Sequence, residues 1–176
     1  MAARGFIELL RLAERGRQRL RGGQDGGDGR WSGVAFLLND QYFVAPLGEI
    51  SEVLNVPDTT HVPSTQAWLR GLANVRGRLL PISDLAIFVG AEKARTDTRR
   101  KVMVIDQPML FGGVIVDEVL GIQHFIKNTY FGTTSVTHVG IAPYVQGYFE
   151  RDGQRWHIFM PSRLAADPRF LNAAIL

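Results

Sequence analysis

The chain has 176 residues, of which 45% are hydrophobic and 21% are charged, a composition typical of a folded globular protein and not of a disordered one. Its net charge of +3 comes entirely from the first 30 residues, which hold seven arginines and four acidic residues, so the remainder is neutral and lacks the basic surface that nucleic-acid binding requires. The sequence has no cysteine and no apolar run near the roughly 20 residues of a membrane span, which excludes disulfide bonds, thiolate chemistry and such a span. We therefore expect a cytoplasmic protein without direct membrane insertion and without a nucleic-acid partner.

Residues 1–21 predict an amphipathic N-terminal helix, and the Gly-rich residues 22–30 predict a flexible linker. Arg11, Arg15 and Arg19 are spaced four apart, and like charges at this spacing repel one another on a helix. We therefore expect the helix to be marginal alone and to dock against an acidic surface, on a partner or on its own domain. The competing interpretations are a solvated arm and, more remotely, a basic arm that lets a β-barrel protein bind nucleic acid. The apolar residues on the other side are Phe6, Leu9, Leu10, Ala13 and, more distantly, Leu20.

From Trp31 onward the sequence changes to short β-rich pieces separated by turn signals. Residues 34–38 and 42–46 predict a first hairpin, and residues 102–105 and 110–116 predict another. No helix-length apolar period occurs between these pieces, so the pattern favours an all-β domain with short helices.

The segment 71–85 predicts a third hairpin, whose turn we place at Gly77-Arg78. Pro81 cannot donate to a sheet ladder, so the returning strand is expected at an edge or at a bulge. Arg76 precedes the turn, where its guanidinium could clamp a carboxylate, although a solvated arginine at a strand end is the alternative.

Two short helices are predicted by their caps. Ser83 or Asp84 offers an N-cap directly after the third hairpin. Asp167-Pro168 reads as the N-cap and first residue of a short C-terminal helix of about two turns.

The two β-rich sets resemble each other, which suggests an internal repeat. The spacing from Gly71 to Gly77 recurs from Gly147 to Gly153, each time within a strand, a turn and a second strand that leads to a short helix. Chance similarity between hairpins is the alternative. A duplication predicts two small closed barrels of about five strands each, because closure removes exposed strand edges. The predicted core residues are Val34, Phe36, Phe43, Val44, Leu72, Val75, Leu80, Ile82, Leu85, Val102, Val104, Val114, Val116, Ile158 and Phe159.

A known family carries a closely similar pair of motifs. Residues 74–77 (Asn-Val-Arg-Gly), followed by Pro-Ile at 81–82 and Asp-Leu at 84–85, together with residues 110–121, resemble the signature of the CheW-like adaptors. The resemblance extends over about residues 32–170. Details at 43–49 and 121–125, and the helix that precedes the domain, are similar to the members that serve the chemotaxis-type systems of type IV pili and twitching motility.

The resemblance implies a non-enzymatic adaptor that couples the cytoplasmic tip of a methyl-accepting chemoreceptor to a CheA-like histidine kinase, associated with membrane receptor arrays through these partners. It implies a fold of two SH3-like five-stranded β-barrels, here within a CheW-like domain at residues 31–176. The first barrel would dock on the regulatory domain of the kinase, and the groove between the barrels would take the helical hairpin of the receptor. A CheW adaptor of a flagellar system is the alternative within the family.

Carried over residue by residue, the resemblance implies a partner-binding surface on the first barrel. Ile50 and Val53 would supply its apolar contact, and Glu52 would face Arg76. The local sequence also allows Glu49 to meet Arg76. The complete set of expected partner-binding residues is Ile50, Glu52, Val53, Asn74, Arg76 and Gly77.

The sequence offers little sign of catalytic or metal-binding chemistry. The four histidines have no ligand-like spacing, and no cysteine is present to complete a site. Asp117 and Glu118 are adjacent, and adjacent residues of a strand point to opposite faces, so we expect them to end a strand. No Gly-x-Ser-x-Gly elbow occurs. We expect no catalytic residues, no metal and no cofactor, and a small-molecule enzyme is the least favoured alternative.

Overall fold

The computed structural model describes residues 29–92, 95–133, 136 and 139–175. The helix predicted at 1–21 and residues 22–28 of the predicted linker lie outside these residues. The described residues form eleven strands, three short α-helices and two 3₁₀ turns. The strands are β1 (Arg30–Leu38), β2 (Gln41–Pro46), β3 (Glu52–Asn55), β4 (Leu69–Val75), β5 (Arg78–Asp84), β6 (Lys101–Gln107), β7 (Leu110–Val116), β8 (Glu118–Ile126), β9 (Tyr130–Phe131), β10 (Val145–Arg151) and β11 (Gln154–Phe159). The helices are α1 (Leu85–Phe88), α2 (Pro161–Ala165) and α3 (Pro168–Leu171), and the 3₁₀ turns are Lys127–Thr129 and Val139–Tyr144.

The strands form two curled sheets. The first sheet has six strands in the order β8-β1-β2-β11-β10-β9, and the second has five in the order β3-β6-β7-β5-β4. Each sheet contains one parallel pair, β2 with β11 and β5 with β7, among antiparallel neighbours. The prediction of an all-β fold with two small SH3-like barrels and short helices is confirmed.

The two halves of the chain exchange strands. Strands β1 and β2 pair with β8, β10 and β11 of the second half, while β3, β4 and β5 pair with β6 and β7. The same order therefore occurs twice, with the first two strands of each half completing the sheet of the other half. This matching order supports the predicted internal repeat.

Two glycines occupy equivalent places in the two sheets. Gly71 has φ 140° and Gly147 has φ 151°, at a register shift in β4 and in β10. A Cβ atom at Gly71 would lie 2.3 Å from the carbonyl oxygen of Thr60, and one at Gly147 would lie 2.4 Å from that of Phe131. A neighbouring backbone segment crosses each strand so closely that only glycine fits.

Strands β1, β2, β6 and β7 are buried on both faces because they lie between the barrels. In β1, Val34 and Phe36 face a central core shared by the two sheets, while Ala35 faces the interior of the first barrel. In β6, Met103 faces the same central core and Val104 faces the interior of the second barrel. This double burial explains why these strands are nearly continuous apolar runs in the sequence.

The predicted core is mostly confirmed, with two exceptions. Leu72 and Val75 are only half-buried, whereas the other predicted core residues are buried. Gly71 and Ala73 are the buried residues of β4, so alternation along the strand turns Leu72 outward. Val75 lies beside the turn, at the open end of the barrel.

Two aspartates cap the short helices, and Pro81 lies in the returning strand of the third hairpin. Asp84 is the N-cap of α1, with its Oδ1 accepting a hydrogen bond from Ile87 N at 3.3 Å, and Asp167 caps α3, which has a single turn and not the two predicted. Strand β5 is interior and not at an edge, yet its pairing with β7 begins only at Ile82, directly after Pro81. The missing N–H of Pro81 therefore falls before the β5–β7 pairing begins.

Candidate functional site

The third hairpin turns at Arg76-Gly77, one residue before the predicted turn at Gly77-Arg78. Val75 pairs with Arg78, and the two residues between them have φ 53° and 78°, as a type I′ turn requires. Asn74 stabilises the turn, because its Oδ1 accepts a hydrogen bond from Gly77 N at 3.0 Å. Asn74 and Gly77 are thus both explained by the geometry of the turn.

The side chain of Arg76 binds the carboxylate of Glu52 through both terminal nitrogens. Arg76 Nη1 donates to Glu52 Oε2 at 2.9 Å, and Arg76 Nη2 donates to Glu52 Oε1. The structure therefore selects Glu52 over Glu49 as the partner of Arg76. The two residues lie on β3 and directly after β4, the strands at opposite ends of the second sheet, so the ion pair bridges a gap that no strand pairing closes.

Stability alone does not account for an arginine at this position. Its side chain is 61% exposed and that of Glu52 is 14% exposed, and exposed ion pairs contribute about 0–1 kcal/mol. A residue other than glycine at positive φ costs about 1 kcal/mol or more. The ion pair therefore offsets at most part of the backbone cost of an arginine at this position.

Ile50 and Val53 do not form an exposed apolar contact. They are 3% and 8% exposed, and both side chains pack into the central core between the barrels. The family resemblance, carried over residue by residue, implies that both residues supply an apolar contact to the partner. The structure places Glu52 at the surface and its two apolar neighbours in the core, so this part of the expectation is corrected.

An exposed leucine supplies apolar surface that the sequence analysis missed. Leu79 is 65% exposed and lies directly across from Asn74 in the β4–β5 pairing. Leu79 and Leu80 are consecutive in a strand, so one of the two must face outward, and this was the signal available in the sequence. We call the set Glu52, Asn74, Arg76, Gly77 and Leu79 the hairpin surface.

A second arginine extends the hairpin surface toward β6 and β7. The guanidinium of Arg78 lies 3.8 Å from the ring centroid of Phe111, and its Nη1 lies 3.8 Å from Asp106 Oδ2. A cavity of about 210 Å³ opens here, with Glu52 and Arg76 at its wall. The surface thus combines one apolar residue, charged groups that are already paired and a shallow recess, which suits recognition of another protein better than catalysis.

Two buried carboxylates, Asp84 and Asp117, serve the fold. Arg100 donates to the fully buried carboxylate of Asp84, which also caps α1. Asp117 lies between β7 and β8 and accepts a hydrogen bond from Asn39 N at 2.8 Å, which ties the first hairpin to the second sheet. The expectation that Asp117 and Glu118 end a strand holds only for Asp117, which directly follows β7, whereas Glu118 begins β8.

A tyrosine, an aspartate and an arginine fix the C-terminal helix. Tyr144 donates its hydroxyl to Asp167, and Arg169 Nη2 donates to Asp167 Oδ2 at 3.0 Å. Burial, with the neighbouring carboxylate, raises the pKa of Tyr144 to about 12. Hydrogen bonds from Arg169 and then Tyr144 lower the pKa of Asp167 to about 2. Both groups keep one protonation state near neutral pH, so they act as structural ties.

Within the described ranges, no group of three or more histidine, cysteine, aspartate or glutamate residues is arranged to hold a metal ion. None of the helices formed by the described residues is long and apolar enough to cross a bilayer.

Comparison with known proteins reveals similarity along most of the chain. The sequence model of the CheW-like domain family matches residues 32–169. The chain is 42% identical over 145 residues to Protein PilI of Pseudomonas aeruginosa, covering 82% of this chain and 81% of that protein. It is 26% identical over 131 residues to Chemotaxis protein CheW of Rhizobium meliloti, covering 74% of this chain and 79% of that protein. The solved structure of scaffolding protein TtCheW from Thermoanaerobacter tengcongensis has the same fold, with a TM-score of 0.65 at 22% identity over 73% of this chain and 88% of that one.

Proposed function

Because the chain belongs to the CheW-like domain family, we propose that it is a non-enzymatic signalling adaptor that couples a methyl-accepting chemoreceptor to a CheA-like histidine kinase in a chemotaxis-type system. The match of the family over residues 32–169 is the observation that carries the proposal. We place the adaptor in the cytoplasm, held at receptor arrays by its partners.

The relatives favour a system that controls type IV pili and twitching motility. Identity to PilI is 42% over 82% of the chain, compared with 26% over 74% for the CheW protein of Rhizobium meliloti. A flagellar role is the second candidate, supported by the presence of several chemotaxis CheW proteins among the relatives.

The hairpin surface is the proposed contact for the regulatory domain of the kinase. Leu79 provides exposed apolar area on the hairpin, and the Glu52–Arg76 pair at the hairpin turn is bidentate and therefore fixed in direction. Such a pair sets the register of a partner more than it adds affinity, because both charges are already satisfied before binding. The boundary between the two barrels is the proposed site for the helical hairpin of the receptor tip, as the family resemblance implies.

Co-elution of the full chain with a CheA-like regulatory domain on size exclusion tests the proposal. Leu79→Asp should abolish co-elution, because it replaces the exposed apolar residue of the hairpin surface by a charge. Ile175→Asp is the matched control, since Ile175 is 56% exposed and follows the C-terminal helix, outside the hairpin surface. Failure of the unmodified chain to bind any such domain, or equal loss in both variants, would contradict the assignment.

A further inference from the structure

An apolar groove of about 380 Å³ opens on the first barrel, away from the hairpin surface. Its floor includes Phe149 and Ile158, which are buried core residues of the barrel, and Tyr130 at its wall is 41% exposed. Exposed Ile126, adjacent to a lining residue, extends the apolar area. The lining residues are Trp31, Pro46, Lys127, Tyr130, Gln146, Phe149, Ile158 and Met160.

The N-terminal segment joins the domain at this groove. Lys127 N donates a hydrogen bond to Gly29 O at 2.7 Å, so the first described residue is bonded to a residue of the groove wall. Two residues later, Trp31 forms part of the wall itself. Residues 1–28 therefore precede the domain at a point directly beside the groove.

We propose that the amphipathic segment 6–20 of this chain docks its apolar side into the groove. Phe6, Leu10 and Ala13 fall at helical spacing on one side and match an apolar recess of this size. The nine residue steps from Leu20 to Gly29 are Gly-rich and span about 15–18 Å on average, which reaches the groove. At that tether length the effective concentration is in the millimolar range, so even weak docking populates the bound state.

The charges of the segment and the groove are complementary in this arrangement. Lys127 is the one charged side chain of the groove lining, and its ammonium group has no ion-pair partner among the described residues. Glu14 follows Leu10 by four residues and so shares its side of a helix, where it can meet Lys127. The arginines 11, 15 and 19 then face water. The docking residues in this proposal are the apolar ones, in place of the acidic receiving surface that the arginines led us to expect.

Docking within the same molecule is favoured over two other occupants of the groove. A second copy would have to compete with a segment that is already tethered at the groove mouth, and an unrelated partner would have to displace it.

Disulfide trapping tests this proposal, because the absence of natural cysteines makes every introduced pair unique. Ala13→Cys combined with Gln146→Cys at the groove should form an intramolecular disulfide in the full chain on mild oxidation, resolved as a monomer by non-reducing gel and mapped by peptide mass. Ala13→Cys combined with Leu79→Cys is the control pair, because Leu79 is exposed on the other sheet. It should cross-link far more slowly.

A matched substitution within the segment separates docking from chance collision. Leu10→Asp in the Ala13/Gln146 cysteine background should slow disulfide formation by about tenfold, because it removes a buried leucine from the contact. Leu12→Asp makes the same chemical change about 200° further round a helix and should leave the rate nearly unchanged. Equal rates for the two cysteine pairs, equal effects of the two aspartates, or disulfide-linked dimers as the main product would overturn the proposal.

Discussion

Arg76 and Glu52 hold together two strands of the second barrel that share no backbone pairing. Arg76 lies in the hairpin turn with φ 53°. Its two terminal nitrogens each donate a hydrogen bond to one carboxylate oxygen of Glu52. The hairpin turn and the start of β3 thereby keep one relative position. Because the pair is largely solvent-exposed on the arginine side, its contribution is to the shape of the hairpin surface and only slightly to the free energy of unfolding.

Reversing one charge of this pair should affect binding more than stability. Arg76→Glu places two carboxylates together and should weaken binding of the kinase regulatory domain by roughly tenfold, while the free energy of unfolding changes by less than about 1 kcal/mol. The double variant Glu52→Arg/Arg76→Glu should recover part of the affinity. Titration calorimetry of the unmodified chain and the two variants measures the effect, and equal affinities throughout would show that the pair does not touch the partner.

Alanine should be tolerated very differently at two glycines of the same hairpin. Gly71→Ala puts a Cβ 2.3 Å from the carbonyl oxygen of Thr60, so we expect it to prevent stable folding or to lower the free energy of unfolding by more than about 3 kcal/mol. Gly77→Ala has open space around the new methyl group and carries only the backbone cost of φ 78°, about 1–2 kcal/mol. Urea unfolding compares the two variants. A loss at Gly77 that equals the loss at Gly71 would refute the close-approach argument.

The protein should lose stability in mildly acidic solution through one buried histidine. Burial lowers the pKa of His157, and the positive charge of Arg155 lowers it further. The unfolded chain, with an ordinary histidine pKa of about 6.5, therefore takes up the proton first as the pH falls. The contribution of His157 is complete above about pH 6.5 and declines below it, by at most about 1.4 kcal/mol per pH unit.

A substitution isolates this contribution. His157 packs against Phe43 and Tyr148, and its Nδ1 has no hydrogen-bond partner among the described residues, so His157→Phe keeps the packing and removes the titration. Urea unfolding between pH 7.5 and 5.5 should show a smaller pH slope in this variant. The exposed control His61→Gln should keep the slope of the unmodified chain. An unchanged slope in His157→Phe would rule out His157 as the source.

A buried and an exposed aspartate should differ in their response to neutralisation. Asp84→Asn leaves Arg100, which is 13% exposed, without its counter-charge and should lower the free energy of unfolding by about 3 kcal/mol. Asp40→Asn removes an ion pair with Arg95 in which the aspartate is 83% exposed, and should cost far less, because solvent screens an exposed pair. Asparagine can still accept the cap bond at position 84, so the comparison reports the ion pair. Similar losses at both positions would be inconsistent with this assignment.

Local features of the fold were predictable because they depend on few neighbouring residues. The hairpins follow from short apolar runs with turn signals between them, and Asp84 and Asp167 mark helix starts by their side chains. The partner of Arg76 could be narrowed to Glu49 or Glu52 from the sequence. Choosing between them required the position of β3 against β4, which is a property of the closed sheet.

Features set by distant strand pairing were not predictable. Strands β1 and β2 exchange places with β6 and β7 between the sheets, which brings together residues that are far apart in the chain. No local sequence pattern indicates this exchange. It creates the central core that buries Ile50 and Val53, so their assignment to the surface was wrong for the same reason. The turn lies one residue earlier than predicted because Arg76 adopts a positive φ. Sequence preferences assign this backbone conformation to glycine before any other residue.

The mass of the complex formed by three purified components tests the adaptor role most directly. The full chain should be mixed with a CheA-like regulatory domain and a chemoreceptor tip fragment and measured by size exclusion with light scattering. We expect one species whose mass contains all three proteins, and no stable species of kinase domain and receptor tip when this chain is omitted. A mixture in which this chain elutes alone, at concentrations where the other two are intact, would contradict it.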